Sequence, residues 1–162
     1  MDDAKPLLII WHSRTGASQA LAEAAASGAG NGASILKASN VQSSDLLCAQ
    51  GYIFVCPENL ASMSGEMKEM FDRCYYAVLG KIEGKAYATI IAAGSDGEGA
   101  QRQIDRIATG WRLKRVAKPM IVITNAQSSE PILAPKVLED SALNAARELG
   151  ESLSKGLQLR IF

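Results

Sequence analysis

An apolar run, Leu7-Leu8-Ile9-Ile10, passes directly into Trp11-His12-Ser13-Arg14-Thr15-Gly16-Ala17-Ser18 and then into an alanine-rich stretch ending near Ala29. The run is long enough for a strand buried on both faces and too short to span a membrane. The following residues, roughly Gly16 to Ala29, have the spacing of a helix, with Leu21, Ala24 and Ala25 on one apolar face. A strand covered on both faces and followed at once by a helix constrains the chain to an α/β architecture with crossover connections. The same order builds an anion site, because the first-turn amides of a helix lack internal partners and carry the positive end of its dipole. Ser13, Thr15 and Ser18 add hydroxyl donors, and Gly16 lets the backbone approach a ligand without a Cβ in the way. Helix capping by Ser13 or Thr15 is the alternative use of these residues. The turn has no Gly-Lys-Ser/Thr, so it is not a nucleotide P-loop; Arg14 is its one cation.

The rest of the chain repeats the alternation. Gly28 to Gly32 break the first helix and Ala33 to Lys37 offer a second strand; these glycines precede a strand and so are no dinucleotide fingerprint. Ser43-Ser44-Asp45 supplies caps for a helical turn through Leu46 and Leu47. Tyr52-Ile53-Phe54-Val55-Cys56 is a third, central strand, expected to end at Pro57. A helix near Ser64 to Val78 places Met67, Met70, Phe71, Cys74, Ala77 and Val78 on one core stripe, with Glu69 and Arg73 paired on the outside. Lys85 to Ala93 is the fourth strand, followed by a glycine-rich loop and a helix through Ile104, Ile107 and Ala108. Pro119 interrupts the last apolar run, Leu113 to Thr124, which suits an edge strand. A polar segment, Asn125 to Ala134, then leads to Pro135 and a closing helix with Leu138, Ala142, Ala145, Leu149 and Leu153 inward. The expectation is one domain over residues 1–162: a three-layer sandwich around a five-stranded parallel sheet in the order 2-1-3-4-5. Ligands of such sheets sit beyond the carboxyl ends of the strands where the winding reverses, so Trp11 to Ser18, Pro57 to Ser64 and Gly94 to Ala100 should converge.

With 17 basic and 17 acidic side chains, charge gives no reason to expect nucleic acid or an anionic membrane as partner. One local excess of six Lys or Arg over Asp105 runs from Arg102 to Lys118; it is either a solvated face or a dock for dinucleotide phosphates. The acidic N-terminus lacks the basic start of a signal peptide, so a cytoplasmic location is expected. Cys48, Cys56 and Cys74 form no Cys-x-x-Cys and are expected to be buried small hydrophobes, with no metal site. His12, the sole histidine, is expected to be packed or solvated rather than a base.

Ser13-x-Thr15-Gly16-x-Ser18 resembles the Thr/Ser-x-Thr-Gly-x-Thr loop with which flavodoxin-like proteins hold the phosphate of FMN. The stretch from Pro57-Glu58-Asn59 through Met67-Lys68 to Phe71-Asp72-Arg73-Cys74-Tyr75-Tyr76 looks like the corresponding part of the flavodoxin-like NAD(P)H-dependent FMN reductases and quinone reductases. Gly94-Ser95-Asp96-Gly97-Glu98-Gly99 resembles that family's second flavin loop. The resemblance implies that Ser13, Arg14, Thr15, Gly16, Ala17 and Ser18 hold the phosphate of FMN. It implies that Pro57, Glu58, Asn59, Leu60, Ala61, Met63, Gly94, Ser95, Asp96, Gly97 and Gly99 border the ring. Asp96 and Glu98 equally suit the start of a helix. Ser18 stands where threonine is common, and neither ring loop contains Trp, Tyr or Phe, so the aromatic sandwich of the electron-carrying flavodoxins is absent from them. The implied function is an FMN-dependent oxidoreductase taking electrons from NAD(P)H to a quinone, flavin or similar small acceptor, with an open ring that favours a homodimer or higher oligomer. A one-electron carrier and a flavin-free scaffold of the same fold are the alternatives. A response-regulator receiver shares the topology but needs acids at the ends of strands 1 and 3, where this chain has none.

Overall fold

The computed structural model describes residues 6–162. Its elements are β1 (Leu7–Trp11), α1 (Ala17–Ala29), β2 (Ala33–Lys37), α2 (Ser43–Cys48), β3 (Gly51–Asn59), β4 (Ser62–Met63), α3 (Gly65–Val78), β5 (Ala86–Ala93), α4 (Glu98–Gly110), β6 (Lys114–Arg115), β7 (Met120–Ile123), α5 (Ser129–Leu133) and α6 (Asp140–Gln158). The sheet runs β2-β1-β3-β5-β6, with β7 also pairing with β5. Every pairing is parallel except the β3–β4 hairpin. This is the expected 2-1-3-4-5 order, β5 taking the fourth position and β6 with β7 the fifth.

The period-2 alternation of the strands explains the layers. Leu7, Ile9, Ile53, Val55 and Ile90 pack against Leu21 and Ala25 of α1 and Ala146 and Leu153 of α6. Leu8, Ile10, Tyr52, Phe54 and Ile91 face the other way, onto Met67, Met70 and Phe71 of α3 and Ile104 of α4. Small residues let α1 and α6 close together: a Cβ on Gly150 would stand 1.9 Å from the Ala25 carbonyl oxygen. That packing fixes where α1 begins, and hence the loop that precedes it.

Several expectations need correction. Pro57 does not end its strand, and β3 continues to Asn59. The His12 amide donates to the Val55 carbonyl, so Val55 faces β1 and by alternation Pro57 does too. Since β1 has already ended at Trp11, the missing N–H of Pro57 leaves no ladder bond unmade. The last edge strand is split into β6 and β7, which meet opposite ends of β5 on either side of Pro119. The polar segment contains α5, none of whose residues is buried. Ala77 and Ala145 are exposed. Both fall at the margin of stripes centred on Cys74 with Val78 and on Ala146 with Leu153, where an alanine is too short to reach the core. Cys48 is exposed, while Cys56 and Cys74 are buried. Of the expected Ser43-Ser44-Asp45 caps of α2, Asp45 serves: its carboxylate accepts from the Gln42 amide at 2.7 Å.

Candidate functional site

The carboxyl ends of β1, β3 and β5 carry the three converging loops. In the first, Ser13 Oγ accepts from the Gly16 amide at 3.0 Å, and Gly16 turns the chain into α1 with φ 99° and ψ −16°. An L side chain disfavours that left-handed geometry, which is why the turn carries glycine. Among the described residues the amides of Ala17, Ser18 and Gln19 have no protein acceptor, and α1 has no acid in its first turn. Ser18 is 1% exposed, and its hydroxyl has no hydrogen-bond partner among the described residues. Thr15 is tied from outside, its carbonyl accepting from the Lys136 amide at 2.8 Å. Arg14 is exposed.

The second loop is a hairpin, with Glu58 opposite Met63 and Asn59 opposite Ser62. Leu60 and Ala61 at its tip both take left-handed φ, 52° and 60°. Two consecutive positive φ values match the turn normally made by Asn-Gly, so Leu-Ala here stores about 1 kcal/mol or more of strain per residue. Long-range bonds hold the turn against that strain. Gln103 Oε1 accepts from the Met63 amide at 2.8 Å and from Ser62 Oγ at 2.9 Å. The Glu58 carboxylate accepts from the Gly97 amide at 2.9 Å and from the Ala100 amide at 3.1 Å. Leu60 is fully exposed at the tip.

The third loop therefore meets the second directly. A Cβ on Gly99 would stand 2.1 Å from the Ala61 carbonyl oxygen, and one on Gly94 2.4 Å from that of Ala126. These glycines serve close approach to protein neighbours, while Ser95 and Asp96 stay exposed. Gly97 caps α4 with φ 88° and ψ −15°, nearly the geometry of Gly16 before α1. The two helix starts differ in their acids: Glu58 places a carboxylate on the amides of α4, whose first turn also holds Glu98, and among the described residues no acid does so on α1.

His12 is buried, and its Nε2 lies 3.3 Å from Glu66 Oε2. Burial holds its pKa below the usual histidine value; Glu66 opposes that shift and Arg14 adds to it. Burial pushes the Cys56 thiol, beneath this region, up to about 12. A cavity of about 330 Å³ opens at the first loop, with Trp11, His12, Ser13, Arg14, Gln19, Lys37 and Glu66 among its lining residues. Another, of about 280 Å³, lies between α3 and α4, lined by Phe71, Tyr75, Ile107 and Trp111.

The basic run does not join the site at its C-terminal end. Lys114 and Arg115 pair with the first residues of β5, at the opposite edge of the sheet. Arg115 is engaged by Asp105 and stacks 5.2 Å from the centre of the Tyr87 ring, and Arg112 pairs with Glu83 at 3.5 Å. Sequence reasoning missed Gln103, Glu66, Lys37 and Lys136, which reach the loops from distant elements. Nothing local to Gln103 points to Ser62 or Met63, and nothing local to Lys136 points to Thr15. Among the described residues no three His, Cys, Asp or Glu converge to hold a metal ion, and no helix is long and apolar enough to cross a membrane.

The strand order and the loops at its switch point define a flavodoxin-like fold, and solved structures agree. A flavodoxin from the domain Archaea superimposes with TM-score 0.78 at 17% identity, over 94% of this chain and 98% of that one. A flavodoxin, WrbA-like protein from Agrobacterium tumefaciens gives 0.73 at 15% identity, over 94% and 97%. The flavodiiron protein from Giardia intestinalis gives 0.75 at 16%, over 96% of this chain and 36% of that one. No curated protein matches the sequence. A family model, NADPH-dependent FMN reductase, matches residues 37–128, and the chain belongs to that family. The match spans the second and third loops and leaves the Ser13–Ser18 turn outside it.

Family membership implies FMN, and the residues present fit its phosphate end. The free amides of α1 and the unpartnered Ser18 hydroxyl are donors without acceptors, and a buried donor left so costs about 1–3 kcal/mol. A phosphate oxygen would supply that acceptor, the bare helix start favours its charge, and Gly16 leaves the space.

Proposed function

We propose that the chain binds FMN non-covalently at the start of α1 and passes electrons from NAD(P)H to a quinone, free flavin or similar small acceptor. The observation that carries the reading is the contrast between two glycine-capped helix starts, one filled by Glu58 and the other open with Ser18 unpartnered beside it. Ser13, Thr15 and Ser18 donate hydroxyls, the amide of Ala17 donates from the backbone, and Arg14 contributes charge. The ring is bordered by Pro57, Glu58, Asn59, Leu60, Ala61 and Met63 on one side and by Gly94, Ser95, Asp96, Gly97 and Gly99 on the other.

When bound, FMN supplies the hydride and electron chemistry. The chain's part is to hold the phosphate, to keep the two ring loops locked together through Glu58, and to leave a nicotinamide access. No aromatic side chain lies in either ring loop, so access is open from the side of the exposed Leu60. An open ring favours completion by a second subunit, and the reading includes a dimer or higher oligomer, tested by sedimentation.

Titration of the purified protein with FMN, followed by anaerobic mixing with NADPH and with NADH, tests the function. Uptake of flavin and bleaching by a nucleotide, reversed by a quinone, is the expected result. Flavin uptake without reaction with either nucleotide would transfer the reading to a one-electron carrier, and no uptake would leave a flavin-free scaffold.

A further inference from the structure

The cavity that opens at the phosphate turn is lined by two cations, Arg14 and Lys37, and by one acid among the described residues, Glu66. A carboxylate is out of place where a phosphate dianion is to be held, because like charges in a partly enclosed site repel. Glu66 stands in the first turn of α3, and its Oε2 lies 3.3 Å from His12 Nε2. His12 is the residue before Ser13, 7% exposed, and its amide donates to the Val55 carbonyl. Its ring therefore links the acid of α3 to the loop that starts α1.

An ionised carboxylate only accepts, so Nε2 carries the hydrogen of the neutral ring and Nδ1 keeps the lone pair. Nδ1 is buried and has no hydrogen-bond partner among the described residues. The charged groups facing the ring are Glu66 from α3, Arg14 from the loop and Lys37 from β2 across the cavity; Ser13, Gln19 and Ser39 complete the polar wall without charge. In the flavin-free protein burial, aided by Arg14, outweighs Glu66 and keeps the ring neutral at pH 7.5. A phosphate at the start of α1 adds negative charge to the same wall and tips that balance. We propose that His12 takes up a proton from solvent, at Nδ1, when the phosphate of FMN binds, and so stands as a cation that screens the phosphate from Glu66. The proposal rests on the functional reading above for the identity of the anion. It makes His12 a working residue of the cofactor site and ties FMN affinity to pH: a proton held only in the complex favours binding at lower pH, and the advantage is lost as pH rises through the pKa of His12 in the complex.

His12 is the sole histidine, so in the untagged protein its imidazole proton resonances report its titration without assignment. Loading the flavin-free protein with FMN should raise the midpoint of that titration by at least about one pH unit, and riboflavin, which lacks the phosphate, should leave it in place. FMN affinity of the parent, read by flavin fluorescence, should fall roughly tenfold between pH 6.5 and 8.5, whereas that of His12→Gln should change by less than about twofold. Glu66→Gln removes the repulsion itself and should bind FMN severalfold more tightly than the parent at pH 8.5; a side chain that merely held the fold would lose affinity instead. The Glu66 side chain is 55% exposed, so this variant decides the matter even if His12→Gln fails to fold. A histidine titration unmoved by FMN, a pH dependence that persists in His12→Gln, or weaker binding by Glu66→Gln at pH 8.5 overturns the proposal. Failure of the functional reading looks different: the parent then gains no flavin absorbance at any pH, and the proposal falls with it.

Discussion

The Glu58 carboxylate accepts a hydrogen bond from the Gly97 amide at 2.9 Å, across a separation of 39 residues, and thereby bolts the β3–β4 hairpin to the start of α4. A second bond, from the Ala100 amide, makes the acid the cap of that helix. Replacing it removes a charged acceptor from two helix amides at once. Glu58→Ala should lower the unfolding free energy by roughly 2 kcal/mol, with Glu58→Gln recovering part of it, as read by urea denaturation. A variant as stable as the parent would show that the hairpin stands without this bond.

Ser18 carries a prediction with opposite signs. Its buried hydroxyl has no partner, so Ser18→Ala should leave the flavin-free protein as stable or more stable by up to about 1 kcal/mol. FMN affinity should instead fall about tenfold, from loss of one hydrogen bond to a charged acceptor, and Thr15→Ala should lose roughly 10- to 100-fold. Fluorescence titration of FMN with the two variants checks both, and unchanged affinity in both would place the phosphate elsewhere.

His12 ties stability to pH. Burial lowers its folded pKa below the ordinary value of 6.5, so between the two values the unfolded chain binds more protons than the folded one. Its contribution is therefore complete above pH 6.5 and is lost as pH falls from there through the folded pKa. The urea midpoint of the parent should drop between pH 7.5 and 5.5 by more than that of His12→Gln. Parallel pH dependences would mean that Glu66 compensates the burial in full.

The three thiols should separate cleanly. Cys48 is exposed, whereas Cys56 and Cys74 are buried and the Cys56 thiol is pushed up to about 12. A thiol reagent at pH 8 should titrate one group in the native protein and all three after denaturation, and Cys48→Ser should abolish the native reaction. Rapid native labelling of a second thiol would show that the sheet opens between β3 and α3.

The sequence by itself determined the layers and the order of elements. Leu7 to Ile10, Tyr52 to Cys56 and Ala86 to Ala93 are apolar on both faces, and a strand with no polar face has to be sandwiched, whatever lies far away in the chain. It also marked Gly16 and the hydroxyls of Ser13, Thr15 and Ser18, because a helix start is written in a few adjacent residues. It could not say which of two alike helix starts is open. That depended on Glu58 reaching Gly97, on Gln103 reaching Met63 and on Lys136 reaching Thr15. Nor did it announce the hairpin at Leu60-Ala61, a dipeptide with no turn preference, held in left-handed geometry by partners elsewhere in the chain. Local preference acts over a turn or two and is worth a few tenths of a kcal/mol to about one per residue. A bond between distant groups exists only after the sheet register has brought them together, so the tertiary structure alone decided which donors were consumed and which were left free.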